Sequence, residues 1–462
     1  MKRNIKVFLE DAQNPVGTLF FTADRGRESA SFAYAPAWLQ SPGAFAIDPS
    51  LPLVAQPQFH KKGNFEHASV FFGCISDSEP DGWGVRVINR MHAKLRNEAR
   101  ENGQPFSDEP LTSLDHLLYV DDACRIGALR FQDEKAKFVR SAPSDGRTAP
   151  PLMDINTLLN ASRAVEDGTD TAADLRYLMG KGTSLGGMRP KCSVVDDDGG
   201  LLIGKFPSAK DTTAVTKAEA LALRMAGLAG IRAAGARVLM VDGSPVTLVR
   251  RFDRIGEKRR MFVSARTLLG VEDGEEHAYT EIMDALVKYG RYPDRDGLEI
   301  WSRIAFSVLI RNVDDHLNNH GFLHIEKGQW ELSPAFDINP SPEKSPVLKT
   351  WISENTGPEA KIEHVIEVAS YFRVSTSRAK ERLSEILQVV DGWRKIAATP
   401  DIGMTAADME PFETAFRHSE VDTARKHCST PSTLPTPKSA RPKVQNVAPR
   451  SSKPKTRGDG KI

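Results

Sequence analysis

A chain of 462 residues, 40% hydrophobic and 27% charged, has the balance of a globular protein with room for two or three domains. No apolar run approaches the roughly 18 residues needed to span a bilayer, and Cys74, Cys124, Cys192 and Cys428 lie too far apart for a disulfide framework or a zinc-ligand spacing. The net charge of +1 hides an asymmetry: from Arg425 onward ten Lys and Arg face Asp459 alone, so the tail carries +9 and the rest of the chain −8.

The N-terminus lacks the apolar core of a signal peptide, so a cytoplasmic location is expected, with no membrane partner. The first 140 residues read as a β-rich unit. "NIKVFLEDAQNPVGTLFF" suggests two short strands around an Asn-Pro-Val-Gly turn. "SLPLVAQPQFH", "ASVFFGCISDSEPDGWG" and "RIGALRF" add strand-like pieces and turns. Residues 141–151 are a polar, proline-bearing linker. A helical stretch from 152 to about 178 then opens a larger unit that continues to residue 395, with an extension over 396–424. The tail, 425–462, is rich in Pro, Ser and Lys with little aliphatic bulk, and is expected to be disordered. Its charge could hold nucleic acid weakly through phosphate attraction, or serve solubility alone.

The larger unit carries the chemistry. "GKGTSLGGMRPKCSVVDDDGGLLIGKF" sets a glycine-rich piece before the strand KCSVV, an Asp-Gly turn and the strand LLIGKF. Thr183 to Gly187 offer small residues whose backbone amides can approach phosphate oxygens. Lys205 shares a strand face with Leu201 and Ile203, and a lysine among apolar neighbours is costly unless it meets an anion. Glu219 is the single acid in the apolar helix "TKAEALALRMAGLAGI", which invites a Lys205–Glu219 pair. Further on, "GLEIWSRIAFSVLI" has the spacing of a buried helix and runs straight into "RNVDDHLNNHGF". Capping and turn formation explain one or two Asp and Asn there, but not so many together.

Phosphoryl transfer needs amides and a lysine on the phosphates, a carboxylate-held metal and a carboxylate near the attacking hydroxyl. Asp314 and Asn319 stand at the Asp-to-Asn interval of a protein-kinase catalytic loop, and "LSPAFDINP" places Asp337 after Phe336 at a strand-to-loop junction. One carboxylate and one amide suit Mg²⁺. His316 and His320 are four apart but lack the acidic partner of an HExxH zinc motif.

These motifs together resemble the HipA family of serine/threonine kinases, the toxins of bacterial toxin–antitoxin pairs. The resemblance rests on "NPVGTLFF", "LPL", "FFGCISDSEPDGWG" and "RIGALRF", then "SLGGMRPK", "LLIGKFPS", "VRRFDR", "VLIRNVDDHLNNHGF" and "LSPAFDINP", in family order. It implies an α+β, two-lobed, protein-kinase-like fold with a β-rich N-terminal subdomain and a mainly helical C-terminal lobe. It implies transfer of the γ-phosphate of ATP, with Mg²⁺, to a Ser or Thr of a protein such as an aminoacyl-tRNA synthetase. Asp314 would be the base, and Asn319 and Asp337 would hold the metal. Gly186, Gly187, Met188, Arg189, Lys191, Lys205, His316, Asn319 and Phe336 would bind ATP, and Arg250, Arg251 and Phe252 would form a hinge beside the adenine. Ser184 falls where the family is phosphorylated to switch itself off, with Thr183 adjacent. A helix-turn-helix antitoxin of HipB type is the implied partner, and would bring DNA indirectly. The sequence departs from the family pattern at Arg250, where an acidic residue can occur, and at Pro190, which cannot donate an N–H. The alternative readings are a lipid or small-molecule kinase and a catalytically silent corepressor that binds the antitoxin.

Overall fold

Alternating burial along KRNIKVFL makes Lys2–Leu9 a strand, β1, with Ile5 and Val7 fully buried and Lys6 exposed between them. It pairs antiparallel with β2 (Gly17–Asp24), which pairs with β3 (Arg27–Tyr34). With β4 (Gln58–Phe59) and β5 (Leu129–Gln132) they form a five-stranded sheet of order β4-β3-β2-β1-β5. The computed structural model describes residues 1–429 except 11–12, 64–67, 107–108, 141–148, 180–186, 257, 273 and 344–345.

The segment read as strand-like at residues 68–84 is not a strand. Phe71 and Phe72 are buried in a turn that enters a short helix, Gly73–Ser76, and "PDG" begins helix α1 (Gly82–Glu101). The reason is local: Asp81 adopts extended backbone and its carboxylate accepts from Gly84 N at 2.6 Å, an N-cap. A short apolar run cannot by itself distinguish strand from buried turn or helix.

Helices α2 (Ile155–Asp167) and α3 (Ala172–Leu178) follow. A second sheet then forms from β6 (Lys191–Val195), β7 (Leu201–Lys205), β8 (Ala236–Val241) and β9 (Ser244–Arg250), in the order β6-β7-β9-β8. Helix α4 (Val215–Leu228), buried on nearly every side, lies against β9. The remaining body is mainly helical, built around α5 (Tyr279–Tyr289), α6 (Pro293–Leu309), α7 (Thr376–Asp391) and α8 (Ser419–Ser429). The expected α+β class is the observed one. Pro293 starts α6, and Asp294 and Asp296 follow in its first turn, where acids favour a helix start. Trp301 lies fully buried at its middle and donates Nε1–H to Val365 O at 2.8 Å. A small sheet, β10 (Phe262–Ser264), β11 (Gly321–Glu326) and β12 (Gln329–Leu332), closes the loop that follows α6. Among the described residues no helix is long and apolar enough to cross a membrane.

Candidate active site

Most of the polar knot after α6 is scaffold. Asn312 is buried, donates to Ser307 Oγ at 3.3 Å and accepts from Asn339 N at 3.1 Å, which ties the two loops of the site together. Asp315 is buried, receives the Tyr279 hydroxyl at 2.6 Å, and lies 3.1 Å from His320 Nε2. Burial alone would raise its carboxyl, but His320 and the Tyr279 hydroxyl hold it below the ordinary carboxylate value. Asn319, also buried, donates Nδ2–H to the Asp314 carbonyl at 3.2 Å and so fixes the loop backbone. Asp314 alone among these acids faces solvent.

Opposite this loop, β7 presents Lys205. Its ammonium lies 2.5 Å from Glu219 Oε1 on α4 and 2.6 Å from Asp337 Oδ1. Burial would lower the lysine, but the two carboxylates raise it above its usual range. Asp337 is held well below the carboxylate range by Lys205 and, more weakly, Lys191, although burial opposes this. Burial pushes Glu219 up, with Lys205 pulling the other way. Asp337 has φ +56°, a left-handed conformation that Asp tolerates better than most residues. His316 lies close to both Asp315 and Asp337, and its Nδ1 is buried without a hydrogen-bond partner among the described residues.

Two connected spaces result. One, about 820 Å³ and open to solvent, is lined by Gly187, Met188, Arg189, Lys191, Lys205, Glu219, Asp314, Asp337 and Asn339, with Val215 and Thr216. The other, narrower and apolar, shares Lys191, Lys205, Glu219 and Asp337 but is otherwise walled by Ile126, Ile203, Val249, Phe252 and Phe336 with the 250–253 segment. Phe252 and Phe336 lie with ring centroids 5.3 Å apart in that slot.

The expected site residues therefore divide. Asp314, Asp337, Lys205, Glu219, Lys191, Gly187, Met188 and Arg189 come together, and Phe252 and Phe336 join them at the apolar end. Arg250 and Arg251 reach the slot, but their guanidinium groups are committed elsewhere. Arg250 bonds Asp198 at 2.9 Å, and buried Arg251 bonds Asp253 and the carbonyls of Cys124 and Arg125. The Arg189 guanidinium is engaged by Asp211. Gly186, Thr183 and Ser184 lie outside the described residues. Asn339 was not anticipated from the sequence. It lines the pocket and its Nδ2–H bonds Asp337 Oδ1 at 3.4 Å.

Two family models match the chain, the HipA N-terminal domain over residues 5–107 and the HipA-like C-terminal domain over residues 183–393. A Sinorhizobium fredii protein provisionally named as a kinase, Y4mE, is 24% identical over 347 residues, which cover 69% of this chain and 73% of the relative. A chain of the Shewanella oneidensis toxin–antitoxin complex of HipA, HipB and operator DNA shares the fold. Its TM-score is 0.60 at 14% identity, over 92% of this chain and 96% of that one. The Helicobacter pylori proinflammatory kinase CtkA matches 52% of this chain and 94% of its own at 16% identity, with a TM-score of 0.38.

Proposed function

The chain belongs to the HipA family, and from that premise we propose that it is an ATP-dependent, Mg²⁺-requiring serine/threonine protein kinase. The observation that carries this reading is the placement of Asp314. Its exposed carboxylate borders the same pocket as the Lys205–Asp337 pair, next to a slot whose apolar lining suits a purine ring. ATP bound there would supply the phosphoryl group, and Mg²⁺ would offset charge between its phosphates.

The residues fit both groups. Ile126, Ile203, Val249, Phe252 and Phe336 offer the ring an apolar bed. Lys205 and Lys191 stand where phosphates would follow. Among the described residues no cluster of three His, Cys, Asp or Glu forms a self-sufficient metal cage. Asp337 suits an ion that takes most of its shell from water and phosphate, and Asn319, whose amide nitrogen bonds the Asp314 carbonyl, is proposed as a second oxygen ligand. Asp314 would accept the proton of the attacking hydroxyl. A further surface depression is lined by Asp314 and Asn339 together with Val313, Pro340, Pro342, Val347 and Phe412. Being open at the surface beside Asp314, it is proposed to receive a polypeptide acceptor.

The Shewanella complex joins HipA to HipB and operator DNA, so a HipB-type antitoxin is proposed as the partner here, with DNA reached through it. Ser184 is proposed as the site of self-inactivation. A phosphoserine would add about −1.5 to −2 charges three residues before Gly187, which lines the pocket, and would repel the nucleotide. Labelled ATP incubated with the purified protein and an acceptor extract tests the reading. Asp314→Asn, which keeps shape but not basicity, should lose about 10²- to 10⁴-fold in transfer. Equal transfer by wild type and variant would remove Asp314 from the role of base. Peptide mass spectrometry of the same reaction should find phosphate on residue 184. An unmodified 182–191 peptide from an active kinase would remove that site.

A further inference from the structure

Lys191 borders both halves of the cleft, yet its ammonium is held from outside the catalytic half. Its Nζ lies 3.1 Å from Asp81 Oδ2, and the two side chains are 6% and 0% exposed. Asp81 belongs to the N-terminal unit. Its other oxygen caps the 20-residue helix α1 by accepting from Gly84 N, so the carboxylate cannot move without uncapping that helix. The contact is reinforced on both sides. Trp83 N donates to Gly187 O at 3.3 Å, and Trp83 is itself buried. Gly187 has φ +100°, and a Cβ there would stand 2.9 Å from Lys191 Nζ, so the backbone passes directly over the ammonium. On the cleft side, the charge of Lys191 acts on both Asp337 and Glu219. Three carboxylates thus compete for two lysines. Without Asp81, the Lys191 ammonium would be drawn to Asp337, the acid proposed to hold the metal.

We propose that Asp81 is a positioning residue for the nucleotide, holding the Lys191 ammonium at the phosphate pocket and away from Asp337, so that the N-terminal unit completes the site of the catalytic half. The proposal rests on the reading of the cleft as an ATP site. The decisive variant is Asp81→Asn, because Asn caps a helix as well as Asp does and leaves α1 intact while removing the charge. Titration of the full chain with a fluorescent ATP analogue and Mg²⁺ should show affinity weakened on the order of tenfold, the scale of one charge-assisted contact. The thermal midpoint should fall, because a buried ammonium loses its partner, so affinity is read at a temperature where both proteins are folded. In transfer assays KM for ATP should rise with kcat nearly unchanged at saturation, a split that general loosening of the fold would not give. Lys191→Met should weaken binding similarly, and the double variant should be no weaker than Lys191→Met alone, since the two residues act as one unit. Nucleotide affinity in Asp81→Asn equal to or tighter than wild type overturns the proposal while leaving the kinase reading intact. Absence of nucleotide binding by the wild-type chain overturns both.

Discussion

Asp314 and Asp315 are adjacent in sequence and opposite in environment. One faces the pocket; the other is buried against Tyr279 and His320 and serves the loop. Asp337 and Asn339 repeat the contrast on the facing loop. Asp337 is the acid shared with Lys205, whereas Asn339 orients it through a 3.4 Å contact. The two should therefore fail differently. Removing an oriented ligand's partner typically costs about 10- to 100-fold in metal affinity, so Asn339→Ala should raise the Mg²⁺ needed for half-maximal transfer by roughly tenfold and recover at saturating metal. Asp337→Ala removes the carboxylate itself and should not recover at any Mg²⁺ concentration. A Mg²⁺ titration that superimposes on wild type for both variants would place the metal elsewhere.

At the scale of elements, the loop that carries Asp314 is held between α6 and the β11–β12 hairpin, and the hairpin is in turn packed on the N-terminal unit by His324. The imidazole stacks on Phe45 with centroids 3.6 Å apart and lies 5.3 Å from Trp330, while its Nε2 accepts from Gly328 N at 3.1 Å. Burial, helped slightly by Arg260, pushes His324 down to about 4 from 6.5. Between those values the unfolded chain binds the proton and the folded chain does not, so this group's contribution to stability falls as pH drops from 6.5 and is lost by about 4. Relative to His324→Phe, which keeps the stack but cannot titrate, wild type should show a steeper drop of thermal midpoint over that interval. Parallel pH profiles would mean that the ring is not held neutral. The same element shows what the sequence could and could not reveal. The period of α6 and the hairpin KCSVV-to-LLIGKF were legible because their signals are local. The helix start at Asp81 was hidden by an apolar run read as strand. Pairs such as Asp81 with Lys191, or His324 with Phe45, join residues more than a hundred positions apart, and nothing in either neighbourhood announces its partner.

On the scale of the whole molecule, the N-terminal unit and the catalytic half are joined by buried charge as well as apolar packing. Arg251 and Asp253, whose side chains are 1% and 2% exposed, sit at the base of the apolar slot and are bonded at 2.6 Å. Arg251 also donates to the carbonyls of Cys124 and Arg125 at 2.7 and 3.0 Å, and Asp253 accepts from Gly127 N at 2.7 Å. Arg254 adds donors to the carbonyls of Ala123, Arg125 and Gly127. The segment 123–127 is thus fastened to the segment 251–254 by groups that neither half could satisfy alone. A buried donor or acceptor left without its partner is costly, so residues 1–429, which form one compact unit, should unfold in a single cooperative transition and not as an N-terminal sheet followed by a kinase core. Arg251→Ala leaves Asp253 with Arg254 as its remaining cation and takes the buried donor from the Cys124 carbonyl; it should cost about 1–3 kcal/mol, shifting that one transition as a whole. Calorimetry decides the matter. Two separated transitions in wild type, or an Arg251→Ala chain in which only part of the heat absorption moves, would show that the halves fold independently and that the shared arginines merely touch.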